Sequence, residues 1–205
     1  MVKGFVSFKE KMADELLAIV QDNSRHALFL NTLSYLENCG ARLIASCEHP
    51  TLVREEMLKH AAEEFRHALY LKQQLSRIGR EHPTYQLNSL VGGFAAYHYL
   101  SSLNLQACRY LKSLGKSVRE IKELAYLLVT YAIELRAEEF YPLYQTALRT
   151  AGSKVQVQSI LLEEKEHLAE MERALKDLSD APIHVETVCG MEAALFGKWS
   201  HALLS

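Results

Sequence analysis

The chain has 205 residues, 49% of them hydrophobic, which suits one domain with a full core. Its formal net charge of -2 gives no global basic field that would draw it to nucleic acid or an anionic membrane. No apolar run approaches the roughly 20 residues that span a bilayer, and Lys3, Lys9, Glu10 and Lys11 interrupt the N-terminal stretch where a signal peptide would be apolar. A cytoplasmic protein is therefore expected. Cys39, Cys47, Cys108 and Cys189 form no CxxC pair, which argues against a tetrathiolate metal site or a dithiol redox motif and predicts four buried thiols. With only 4 prolines and 9 glycines, helix breakers are few and long helices are expected.

Residues 7–21 carry Phe8, Met12, Leu16, Ile19 and Val20 at three- and four-residue steps, an amphipathic helix. The polar cluster at 21–24 breaks it and offers caps for a second helix over 24–47. Glu37 sits in that second helix among Leu33, Ser34, Gly40 and Ala41. A carboxylate on such a face is costly to bury unless paired or bound to a metal. The plainer alternative is a surface Glu37 beside Arg42. Pro50 opens a third helix over 51–79, on which His60, Glu64 and His67 share one face.

Residues 86–114 form a weakly polar helical segment in the place of a long crossover. Its Tyr97, His98 and Tyr99 are candidates for a substrate pocket, although a histidine among aromatics is more often a hydrogen-bonded core residue. Ser117 and Glu120 form an S-x-x-E capping box for a helix over 118–150. Glu134 lies in its most apolar part, and Glu138 follows one turn later. Pro142 is expected to bend this helix near Glu138. Gly152 and Ser153 stop and restart the chain for a helix over 154–179, and a shorter helix over 183–203 holds the single tryptophan, Trp199.

Two Glu-x-x-His motifs stand out: Glu64 with His67, and Glu164 with His167. One such motif is near chance in a chain of this composition. Their arrangement carries the information. Glu37 precedes Glu64 by 27 residues, and Glu134 precedes Glu164 by 30. About 14 residues out and 14 back, at 1.5 Å per residue, make an excursion of about 20 Å, so each pair fits an antiparallel helix hairpin. All six groups then meet at one level. Carboxylates and imidazoles together suit iron or manganese, and four carboxylates balance two divalent charges.

This pattern resembles the ferritin-like di-iron carboxylate proteins, in which two helices each give a Glu and two give Glu-x-x-His. The resemblance covers residues 24–179, with the crossover at about 80–115. It implies an all-α, ferritin-like four-helix bundle in a single domain over 1–205, with flanking helices at both ends. It implies Glu37, Glu64, His67, Glu134, Glu164 and His167 as ligands of two iron ions, with manganese able to replace either, and Glu64 and Glu164 as bridges. Dioxygen or peroxide, a small-molecule substrate and a separate electron donor are the partners it implies. Within the superfamily, YAIELRAEEFYPLY at 131–144 is similar to an AFIEAR-like motif of tRNA-modifying di-iron hydroxylases, in one helix only. The charge balance gives no support for a tRNA substrate.

Several assignments stay open at this level. Glu138 competes with Glu134, since it lies 26 residues before Glu164. His60 is an extra ligand, an outer partner or a structural histidine. Glu63 and Glu163 point about 100° away from the motif acids and are expected to face solvent or an arginine. Tyr35 and Tyr131 either hydrogen-bond near the metals or pack in the core. Oxidation of a substrate is the expected function. Iron handling as a ferroxidase, peroxide reduction of the rubrerythrin kind, and a metal-free helical interaction protein are the alternatives. Nothing in the sequence specifies the oligomeric state.

Overall fold

The computed structural model describes residues 2–82 and 84–204, and it is helical throughout with no strand among them. Seven α-helices follow in order: α1 (Lys9–Gln21), α2 (Asn23–Cys47), α3 (Glu55–Gln74), α4 (Gly93–Ser113), α5 (Val118–Thr150), α6 (Gln158–Lys176) and α7 (Ala181–Leu204). Short 3-10 turns at Leu75–Ile78 and Leu87–Ser89 link α3 to α4. The expected helices are all present, with ends shifted by a few residues.

Local chemistry sets these boundaries. The Asp22 carboxylate accepts from the backbone N–H groups of Ser24 and Arg25, so α1 ends and α2 begins around one residue. Ser117 and Glu120 close the expected capping box at the start of α5. That helix continues unbroken through Pro142 for 33 residues. Gly79, at φ 65°, stops the 3-10 turn after α3. The segment expected to be helical from residue 86 begins only at Gly93. Gly92 sits at φ 77°, and a Cβ there would stand 2.6 Å from the Trp199 ring, so the chain can turn at this point only with glycine.

Helices α2 and α3 pack as an antiparallel hairpin: Ser34 Oγ donates to the Ala68 carbonyl at 2.6 Å, and Lys72 Nζ reaches Asn31 Oδ1. Helices α5 and α6 form a second hairpin. The hairpins are tied where Lys59 of α3 meets Glu170 of α6 at 3.4 Å and Arg66 meets Glu163 at 3.2 Å. Helix α4 lies against α5, α7 and α2, while α1 packs on α5 and α2. No helix among the described residues is long and apolar enough to cross a membrane. The thiols differ from expectation: only Cys189 is fully buried, and Cys39, Cys47 and Cys108 are half-buried, all four free.

A buried ion pair fastens the outer elements to α5. Arg136 binds Glu192 of α7 through two bonds, Nε at 2.9 Å and Nη2 at 2.8 Å, and Glu192 is fully buried. Arg136 also donates to Glu139 at 2.6 Å and to the Val6 carbonyl at 3.0 Å, and Tyr99 of α4 donates to Glu192 at 2.5 Å. The guanidinium lies over the rings of Phe196 at 4.2 Å and Phe5 at 4.4 Å. The N-terminal segment, α4, α5 and α7 thus converge on one cation. Replacing it leaves Glu192 buried without a countercharge, with only the Tyr99 hydroxyl bonded to it. Arg136→Met should therefore lower unfolding stability by about 3–5 kcal/mol in urea titrations, and the double variant Arg136→Met/Glu192→Leu should recover most of that loss.

Candidate metal centre

The two hairpins bring seven side chains into contact inside the bundle. One group holds ligand-type atoms of Glu37, Glu64, His67 and Glu164, and the other those of His60, Glu64, Glu134 and His167, each group within 4.8 Å. Glu64 belongs to both. Glu64, Glu134, Glu164 and the three histidines are buried, and Glu37 is half-buried. Every residue in the expected six-ligand set is present, and His60 joins them.

His60 sits one turn before Glu64 on α3. Its Nε2 lies 3.1 Å from Glu134 Oε1 and 3.3 Å from Glu64 Oε1, while Nδ1 faces the Tyr126 hydroxyl at 3.4 Å. The competition between Glu134 and Glu138 resolves in favour of Glu134. Glu138 is exposed, whereas Glu134 is buried within the cluster.

The neighbouring acids have a role that the sequence reading did not assign. Glu163 of α6 accepts from His67 Nε2 of α3 at 2.9 Å, and Glu63 of α3 accepts from His167 Nε2 of α6 at 2.9 Å. Each helix therefore orients the histidine of the other. Glu163 also takes the expected arginine, Arg66. With Nε2–H bound to a carboxylate, each ring directs its Nδ1 into the cluster. The doubled acids at 63–64 and 163–164 were the available signal for this exchange.

His67 Nδ1 lies 3.0 Å from Glu164 Oε1, whereas His167 Nδ1 and Glu134 Oε2 are buried with no hydrogen-bond partner. Buried polar atoms of this kind are rare in a folded protein. They are also the atoms that a pair of divalent ions would engage, and the donor set of carboxylates and imidazoles suits iron or manganese. The residues present fit such a centre.

Of the two alternatives for the tyrosines, core packing describes Tyr131, which is buried in the hydrophobic core. Tyr35 donates to the Tyr97 carbonyl at 2.8 Å and stacks on the Tyr97 ring near the surface. Tyr141 is the tyrosine at the site: it is buried and donates to Glu37 Oε1. It lies two turns after Glu134, on the same helical stripe. Of the three crossover residues, only Tyr99 lines the internal cavity. Tyr97 and His98 are exposed, since steps of 100° per residue turn them off the face that Tyr99 buries.

That cavity, of about 90 Å³, runs beside the cluster between α2, α4 and α5. Glu37, Glu64, Glu134 and Glu164 form its polar edge, and Leu33, Leu100, Val129, Ile133 and Phe140 are among its apolar walls.

The electrostatics of the cluster reflect charge held away from bulk solvent. Burial and the nearby carboxylates push Glu37 and Glu134 well above the usual carboxylate range. Burial raises Glu64 to about 7. Glu164 is opposite: burial opposes its charge, yet the adjacent Glu134, His167 and His67 hold it below the usual range. Burial also opposes protonation of His67 and His167, but Glu164 and the surrounding acids raise both to about 9. Burial and neighbouring His167 lower His60 to about 4. Without metal, protons hold the cluster together.

No protein-family model, curated protein or solved structure matches the chain.

A pH dependence follows for the metal-free protein. His67 and His167 rise from 6.5 to about 9 on folding, so their contribution to stability is complete below pH 6.5 and is lost as pH rises through 9. Glu64 rises from 4.5 to about 7, so its ionisation costs stability over that interval. Both effects have the same sign. The melting temperature of the metal-free protein should fall by roughly 5–10 °C between pH 6 and pH 9. Saturating Mn(II) should abolish the fall, because the metal replaces the protons. Circular dichroism melts at both pH values measure this.

Proposed function

We propose that this chain is a ferritin-like bundle carrying a dinuclear iron centre, and that it uses dioxygen to oxidise an organic substrate. The reading rests on one observation above the others: two four-residue groups share Glu64, and the ligand-type atoms of each lie within 4.8 Å of one another inside the bundle. One ion would be held by Glu37, Glu64, His67 and Glu164, the other by His60, Glu64, Glu134 and His167. Four carboxylates offset the charge of two divalent ions, which removes the penalty of burying either set alone.

A bound pair of ferrous ions supplies two electrons and a Lewis-acid site to dioxygen, and a separate donor restores the electrons. The chain's own residues do the rest. Glu163 and Glu63 fix the rings of His67 and His167 with Nδ1 facing inward. Tyr141 orients Glu37 through its hydroxyl hydrogen bond. His60 Nδ1 faces the Tyr126 hydroxyl, which leaves Nε2 to the carboxylates. The apolar walls keep water from the reacting carbon. Those same walls favour an organic substrate over iron itself as substrate, because an entering cation needs a polar path and this cavity is walled by leucine, valine, isoleucine and phenylalanine.

Metal analysis tests the proposal. Reconstituted protein should hold two ions per chain, and its ferrous form should consume dioxygen. Glu64→Ala should reduce the content to one ion or fewer, with His167→Ala also below two and both variants folded by circular dichroism. Retention of two ions in both variants would overturn the assignment.

A further inference from the structure

The two halves of the cluster repeat each other at an offset of 100 residues: Glu63 with Glu163, Glu64 with Glu164 and His67 with His167. The repeat breaks at one ring. His60 on α3 has Ile160 as its counterpart on α6, and Ile160 is buried in the hydrophobic core. The break extends to the helices that supply the single glutamates. Tyr126 stands eight residues before Glu134 on α5, and the residue eight before Glu37 on α2 is Phe29, also buried in the core. One half therefore holds a histidine and a tyrosine where the other holds an isoleucine and a phenylalanine.

The polar pair is joined in space. His60 Nδ1 lies 3.4 Å from the Tyr126 hydroxyl, while Nε2 lies 3.1 Å from Glu134 Oε1 and 3.3 Å from Glu64 Oε1. His167 approaches the same two oxygens: its Nδ1 is 3.7 Å from Glu134 Oε1 and 3.5 Å from Glu64 Oε1. The rings of His60 and His167 lie 4.1 Å apart, whereas that of His67 is 6.2 Å from His167. The two donor groups are thus unlike. One offers two imidazoles and two carboxylates, the other one imidazole and three carboxylates, with Glu64 counted in both. An imidazole that binds an ion through Nε2 keeps its proton on Nδ1 and needs an acceptor there. The Tyr126 hydroxyl is that acceptor. Carboxylates suit manganese, while imidazole suits the later first-row ions.

We infer that His60 and Tyr126 make the two ion positions selective for unlike ions. The two-imidazole position takes the ion with the stronger preference for nitrogen, and the three-carboxylate position takes the harder one. His60 supplies the second nitrogen, and Tyr126 is the positioning residue that holds it to the task. This inference rests on the dinuclear reading of the cluster.

Loading the metal-free full chain with one equivalent each of Co(II) and Mn(II) tests it, read by metal analysis and by electron paramagnetic resonance of Mn(II). The native chain should hold one ion of each kind, with Mn(II) coupled to Co(II) and the signal of Mn(II) pairs absent. In His60→Ile/Tyr126→Phe, which places the residues of one half in the other, Mn(II) pairs should appear. Its affinity for the first Co(II) should fall by about 10–100-fold. Tyr126→Phe alone should weaken the first Co(II) by about tenfold with an unchanged circular dichroism spectrum. Scrambled loading of the native chain, or a Co(II) preference that survives the double variant, would overturn the inference and leave the dinuclear reading intact. A native chain that holds one ion in all overturns the dinuclear reading. Loss of that ion's affinity in the double variant would still support the His60 position, and its retention would overturn that as well.

Discussion

Four carboxylates gathered within the core of a helical bundle repel one another, and burial takes them away from the bulk solvent that would screen them. Everything around the cluster answers that constraint. Glu64 touches both groups, Glu134 and Glu37 resist ionisation, and His67 and His167 hold protons far above their usual range. The outer acids Glu63 and Glu163 then fix which ring nitrogen faces inward. An arrangement serving stability alone would exchange such charges for apolar side chains of the same volume. Retained, they form two groups of side chains that could each hold an ion.

The scaffold keeps the cluster in register from outside. Hairpin α2–α3 and hairpin α5–α6 cross-link through Lys59 with Glu170 and Arg66 with Glu163, close to the levels of the motif residues. Arg136, two residues after Glu134, secures α7, α4 and the N-terminal segment to α5, and Phe196, against its guanidinium, lines the cavity together with Trp199.

Much of this could be read from the residues themselves. Helix periodicity and few breakers revealed seven helices, and the matched spacing of Glu37 to Glu64 and Glu134 to Glu164 placed six side chains at one level. Those signals are local or involve simple arithmetic along a helix. What escaped depends on which helix faces which. The Glu63–His167 and Glu163–His67 exchanges join residues about 100 positions apart, and no spacing rule pairs them. Tyr35 and Tyr131 were left open between the site and the core, and it is Tyr141 that reaches Glu37, across from α5 to α2. Tyr97 and His98 were grouped with Tyr99, but a helix sends adjacent side chains 100° apart. The Arg136–Glu192 pair, with 56 residues between partners, was equally hidden.

The central claim is that the seven side chains hold two metal ions sharing Glu64. Anomalous diffraction at the iron edge, from crystals of the ferrous-loaded protein, addresses it most directly. Two peaks about 3.5–4 Å apart are expected, both within bonding distance of Glu64, with His67 on one and His60 and His167 on the other. A single peak, or two peaks with Glu64 bound to neither, would contradict it.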